Sequence, residues 1–199
     1  MTTTLHLVRH GSHGLLDRKL CGRMEGVELS AQGRAEVERT AARLRREAPA
    51  ALYSSPLQRC RETADAAAAV LGLPVTVDEG LVEIDFGEWT GKTFDELRAD
   101  PRWEPWNTRR TLARPPGGET LGEAQMRAVR AVEAICAAHP DHAVVLVTHS
   151  DIVKALAAHW IGLPLDFHSR FEVSPASLTT AAVGDWGAKL IRLNEDACA

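Results

Sequence analysis

"HAVVLVTHSDIVKALAAHWIGLP", residues 142–164, decides the fold class because it changes period halfway along. Val144–Val147 is an unbroken apolar run of strand formers, so 142–151 begins with a strongly apolar strand. After it Ile152, Val153, Leu156, Ala157, Trp160 and Ile161 recur every three or four residues, tracing one buried helix face. Gly162 and Pro164 lie just past the end, where a left-handed cap and a chain that cannot continue the helix are expected.

Outward from this strand–helix unit the same alternation repeats. Residues 4–10 read as a strand, followed by a helix whose face is Val37, Ala41, Leu44 and Ala48 and whose cap is Ser30. Residues 51–55 read as a second strand, running into a helix with Ser55 and Gln58 at capping-box spacing and Pro56 at the first helical position. Gly72 and Pro74 close it, and 74–77 is a third strand. "EGLVEIDFGEWTG" (79–91) is too rich in glycine and acid for a regular element. A short helix is expected near 93–99, after which "DPRWEPWN" leads into the loop "ARPPGGE" (113–119). Thr120 and Glu123 form another capping box for a helix reaching His139, and 176–183 and 188–193 are the last strand candidates. The expectation is a layered α/β fold around a mostly parallel sheet, in one domain spanning 1–199.

Composition narrows the function classes. With 45% hydrophobic and 25% charged residues and a net charge of −4, the 199-residue chain has no global attraction for nucleic acid or an anionic membrane. Any anion must be held by local positive charge. The arginines between Arg39 and Arg46 alternate with Glu38 and Glu47 and read as a solvated helix face. Cys21, Cys60, Cys136 and Cys198 form no CxxC pair and read as reduced thiols. With no leader-like N-terminus and no long apolar span, a cytoplasmic protein is expected.

In open α/β sheets ligands bind beyond the carboxyl ends of the strands. Arg9 and His10 fall after the first strand, Arg59 after the second, Glu83 after the third, and His149 after "VVLVT". Arg59 breaks a local rule, because a cation in the first turn of a helix opposes the macrodipole. An anion bound between Arg9, Arg59 and that helix start would more than compensate, and phosphate suits the forked guanidinium. An imidazole such as His10 can attack phosphorus and carry the phosphoryl group covalently, while Gly11 would let the backbone turn sharply and approach an anion. Glu83 is the candidate proton donor to the departing oxygen, with Asp85 and Glu88 as competitors, and His149 is a candidate donor to the phosphoryl oxygens.

These blocks resemble the histidine phosphatase superfamily, the phosphoglycerate-mutase-like proteins. "LVRHG" (7–11) matches its signature. "GRMEGVELSAQGRAE" (22–36), "YSSPLQRCRETA" (53–64), "LVEIDFGEWTG" (81–91), "PPGGET" (115–120) and "VVLVTHSDIVKAL" (144–156) continue the match in order. The resemblance implies a three-layer sandwich with helices on both faces of the sheet. It also implies His10 as the phosphorylated nucleophile, Glu83 as the general acid that later activates water, and Arg9, Arg59 and His149 around the phosphate, with no metal or other cofactor. Gly11 is expected beside the phosphate, and Ser12, Cys21, Gly22, Arg23 and Ser150 in the substrate pocket. The chain departs from the family pattern at "SHGLLDRK" (12–19) and at Ser150, which replaces the usual glycine and is read as the cap of a helix from Asp151.

The expected activity is hydrolysis of a small phosphorylated metabolite by a monomer or homodimer. The alternatives are a cofactor-dependent phosphoglycerate mutase or other phosphomutase, and a non-catalytic phospholigand-binding protein. Mutase members tend to be longer and to carry an inserted closing segment. A metal site built on His10 and His149 is disfavoured by the two neighbouring arginines. Trp89, Trp103 and Trp106 either shape the pocket or anchor a loop, Glu119 either bonds into the site or caps backbone amides, and His13 reaches toward the pocket mouth.

Overall fold

The computed structural model describes residues 1–196. In chain order its regular elements are β1 (Thr2–Arg9), α1 (Ala31–Leu44), β2 (Ala51–Ser54), α2 (Gln58–Leu71), β3 (Val75–Val77), α3 (Phe94–Arg98) and α4 (Trp103–Thr108). They continue with α5 (Leu121–Ala138), β4 (Ala143–Thr148), α6 (Ser150–Ile161), β5 (Leu178–Gly184) and β6 (Gly187–Glu195). The strands form one sheet in the order β3-β2-β4-β1-β5-β6. The first four are mutually parallel, while β5 runs antiparallel to both its neighbours, β1 and β6. The sheet is therefore mixed. Only Asp185 and Trp186 separate β5 from β6, and a connection that short can join only antiparallel neighbours.

Alternation along the central strands divides the core in two. Leu5, Leu7, Val144 and Leu146 face α5 and α6, whereas Val8, Leu52, Val145 and Val147 face Ala41 and Leu44 of α1 and Cys60, Ala64 and Ala67 of α2. Helices thus cover both faces.

Local signals set several helix ends. Ser30 Oγ accepts from Gly33 N at 3.0 Å, and Thr120 and Glu123 form the reciprocal capping box at 3.1 and 2.7 Å. Two expected caps are absent because a tertiary partner takes the hydroxyl. Helix α2 starts at Gln58 with Leu57 in the cap position and no side-chain cap, since Ser55 Oγ lies 2.8 Å from His149 Nε2 and Gln58 Nε2 donates to Glu62. Likewise α6 begins at Ser150 itself, whose Oγ donates to Val173 O at 3.5 Å. "DPRWEPWN" is partly helical, as α4, with Pro105 in its first turn where no N–H is needed. Arg39, Arg45 and Arg46 are exposed as expected, but half-buried Arg43 bonds Glu47 and Glu195.

Cys21, Cys60 and Cys136 are free thiols, and Cys198 lies outside the described residues. No helix among the described residues is long and apolar enough to cross a membrane.

Candidate active site

Register in the parallel sheet assembles the site. Arg9 pairs with Thr148 and Ser54 with Val147, so the residues that follow, His10, His149 and Ser55, leave β1, β4 and β2 side by side. Two bonds hold that exit: His10 N to Thr148 O and Ser55 N to Val147 O, each 2.9 Å. A cavity of about 170 Å³ opens there, walled by Arg9, His10, Cys21, Gly22, Arg59, Glu83 and Ser150, with Asp17, Lys19, Phe86, Phe94 and Asp151 among its further lining.

His10 is buried, and its Nδ1 lies 2.9 Å from Gly11 O. A carbonyl only accepts, so Nδ1 carries the proton and Nε2 keeps its lone pair. Burial, then the charges of Arg59 and Arg9, lower the ring's pKa well below 6.5 and keep it neutral.

The two cavity arginines are only partly partnered. Arg9 Nη1 donates to Val173 O at 2.7 Å, and its Nε is buried without a partner. Arg59, 2% exposed, donates from Nη2 to Gly22 O at 2.6 Å, and its Nε and Nη1 are buried without partners. Charged donors left unpaired in this way cost at least about 1–3 kcal/mol each. An anion accepting from them removes that penalty.

Glu83, at the end of an irregular stretch after β3, brings its carboxyl into the same cavity. Burial, with Asp151 as the next contributor, raises its pKa to about 8 against opposing pulls from the Ile84 N–H, Arg59 and Arg9. Burial thus favours the protonated form of this carboxyl. Its competitors lie elsewhere: Asp85 accepts from Gly87 N and faces Arg23, and Glu88 is exposed.

His149 is fully buried and is not part of the cavity wall. Arg59 Nη2 lies 3.2 Å from its Nδ1, and a guanidinium only donates, so Nδ1 accepts and Nε2–H donates to Ser55 Oγ. In this geometry His149 holds Arg59 and stands 5.3 Å from His10 between ring centroids.

Other expectations move as well. Gly11 does not adopt a positive φ, and its N–H donates to Thr63 Oγ1 at 3.1 Å. The need for glycine there is packing, since a Cβ would meet Gly33 O at 2.7 Å and Val37 Cγ2 at 2.8 Å. Ser12 donates through both N and Oγ to Glu36 and faces a separate cavity of about 820 Å³ beside α1. Arg23 is not in the wall either, because its Nε donates to Glu83 O at 2.8 Å. Cys21, Gly22 and Ser150 do line the cavity, as does His13, 5.4 Å from His10 between ring centroids. The tryptophans anchor. Trp89 and Trp106 are fully buried, stacked edge-on with Trp103 and Phe86, and no tryptophan lines the cavity.

Asp17, Lys19, Phe94 and Asp151 line the cavity without a sequence signal that singles them out. Asp151 stands in the quoted motif, in the first turn of its helix, and reads as an ordinary acidic helix start. Asp17 and Lys19 sit in a loop whose path no periodicity reveals, and Phe94 opens the short α3 that follows another. Among the described residues, no group of three or more His, Cys, Asp or Glu side chains comes together as a metal ion would require.

Comparison with known proteins agrees with this geometry. The model of the histidine phosphatase superfamily (branch 1) matches residues 5–196. The chain belongs to that superfamily. A bifunctional protein of Mycobacterium tuberculosis is 36% identical over 197 residues, covering 96% of this chain and 53% of the relative, so the chain spans about half that protein's length. A glucosyl-3-phosphoglycerate phosphatase from the same organism is 33% identical over 166 residues, covering 77% of this chain and 74% of the relative. Among solved structures, YhfR of Bacillus stearothermophilus superposes with a TM-score of 0.92 at 32% identity, with 97% of each chain covered.

Proposed function

We propose that this chain hydrolyses a small phosphomonoester through a phosphohistidine on His10, without a metal, with Glu83 as general acid and then general base. The observation that carries the proposal is the pairing, across one small cavity, of a neutral imidazole whose Nε2 is unprotonated with a carboxyl whose pKa is raised to about 8. Acid and nucleophile are each in the state the first step needs at neutral pH.

The dianion is held by the unpartnered donors of Arg9 and Arg59, which supply the positive charge in which the transferring group is stabilised. His10 Nε2 attacks phosphorus, the P–O bond to the leaving group breaks, and Glu83 delivers its proton to the departing oxygen. In the second step water attacks phosphorus as the Glu83 carboxylate takes its proton. The P–N bond then breaks, releasing orthophosphate and restoring neutral His10. Glu83 is again protonated, so atoms and charge balance over the cycle.

Hydrolysis is preferred over phosphoryl transfer to a second metabolite because a relative 33% identical over 166 residues is itself named a phosphatase, of glucosyl-3-phosphoglycerate. The proposed setting is the cytoplasm, where the free thiols would remain reduced.

The test is phosphate release from p-nitrophenyl phosphate, with EDTA present, by wild type and His10→Ala. The expected result is EDTA-insensitive turnover that falls on the order of 10⁴-fold in the variant. Turnover that survives loss of His10 would sink the mechanism.

A further inference from the structure

We infer that Glu119, with Arg23 and Arg127, is the positioning cluster that sets Glu83 against the leaving-group oxygen; the inference rests on Glu83 being the general acid. Glu83 sits in a segment without helix or strand bonds to fix it, between a short 3₁₀ turn (Glu79–Leu81) and another (Gly87–Trp89). Side chains replace the missing ladder. Arg127 Nη1 donates to Gly80 O at 2.8 Å and Val82 O at 2.9 Å, and Arg23 Nε donates to the carbonyl of Glu83 itself at 2.8 Å.

Both arginines are in turn aimed by a single oxygen. Glu119 Oε1 accepts from Arg23 Nη2 at 2.7 Å, from Arg127 Nη2 at 2.7 Å and from Asp85 N at 3.0 Å. One carboxylate thus fixes the main chain on both sides of Glu83. Glu119 is itself held in place through its backbone, which donates to Asp85 O at 2.9 Å. The fit between the two segments is tight: a Cβ on Gly118 would lie 2.2 Å from Asp85 O, and one on Gly87 would lie 2.1 Å from Pro116 O. Gly118 of "PPGGE" and Gly87 therefore let the two segments close, bringing Glu119 against the acid-bearing segment. Neither Glu119 nor either arginine lines the catalytic cavity, so the cluster acts through Glu83 and not on substrate.

The experiment compares kcat/KM for two esters, because that constant reports the steps up to leaving-group departure. Nitrophenolate departs without a proton, whereas the alkoxide of glycerol 2-phosphate needs one. Glu119→Gln preserves side-chain length and one oxygen acceptor. It is expected to lower kcat/KM for glycerol 2-phosphate by about 10- to 100-fold and for p-nitrophenyl phosphate by less than about threefold. Inhibition by inorganic phosphate should be unchanged, since Arg9 and Arg59 are untouched. Arg23→Gln, at a side chain that is 34% exposed, repeats the test from the other arm and should show the same split.

Equal losses on the two esters, or no loss in either variant, would overturn the positioning role while leaving a His10-dependent phosphatase in place. Activity retained in His10→Ala would instead remove the parent mechanism. The two failures are therefore distinguishable.

Discussion

Arg9 and Arg59 at the cavity, and Arg23 and Arg127 behind Glu83, are two pairs of guanidinium groups in one fold, put to opposite uses. In the second pair the forks end on protein. Arg23 and Arg127 reach three main-chain carbonyls and both converge on Glu119, with only Arg127 Nε left over. In the first pair, on residues that line the cavity, buried donors remain without a protein partner: Nε of Arg9, and Nε and Nη1 of Arg59. Arginines whose forks close on backbone fix a shape. Arginines left open in a concave site are held ready for an anion, at some expense in stability.

The sharpest way to break this contrast is to remove one arginine from each pair and read activity and stability separately. Arg59→Met is expected to lower kcat/KM on the order of 10³-fold, because the charge and donors facing the phosphoryl group go together. Its unfolding free energy, from urea denaturation, should fall by less than that of Arg127→Met, since the loss of a partner for Gly22 O and His149 Nδ1 is offset by removing a buried cation with two unpartnered donors. A large destabilisation would show that Arg59 is structural after all. Arg127→Met should cost more stability, about 2–4 kcal/mol, because it strips the carbonyls of Gly80 and Val82 and one partner of Glu119. Its loss of turnover should be smaller than that of Arg59→Met and confined to esters that need a proton.

The same contrast separates the features that local sequence makes legible from those it hides. Strand–helix alternation is legible because period and stop signals are local, and Ser30 and Thr120 cap as expected because their partners lie three residues away. Arg59 is legible as a misfit: a cation in the first turn of a helix asks for an anion. Arg23 is hidden, because its neighbour Gly22 does line the pocket and sequence adjacency says nothing of where a long side chain turns. Ser55 and Ser150 pass for caps for the same reason, since the pull of His149 and Val173 comes from 94 and 23 residues away. The direction of β5 and β6 is open in the hydrophobic pattern and is set by the two-residue connection between them.

Carboxylates extend the comparison, and they give the smallest and most graded prediction. Glu119 Oε1 receives three donors, two of them guanidinium, whereas Glu83 is buried with one short bond, from the N–H of its own neighbour Ile84 at 2.9 Å. Burial therefore dominates at Glu83 and raises its pKa from 4.5 to about 8. For activity the sign follows from the acid role. Turnover of glycerol 2-phosphate should fall tenfold per unit as pH rises above about 8, with a shallower fall for p-nitrophenyl phosphate. The acid limb should lie well below 6.5, where His10 takes up a proton. For stability the folded state holds the Glu83 proton more tightly than the unfolded chain does. That contribution is complete below about pH 4.5 and is lost as pH rises toward about 8. Glu83→Gln, which carries no charge to bury, should accordingly match wild type near pH 4 and become progressively more stable than it between about pH 4.5 and 8. A constant difference across that range, in urea titrations at successive pH values, would mean that Glu83 is ionised in the native site and cannot be the proton donor.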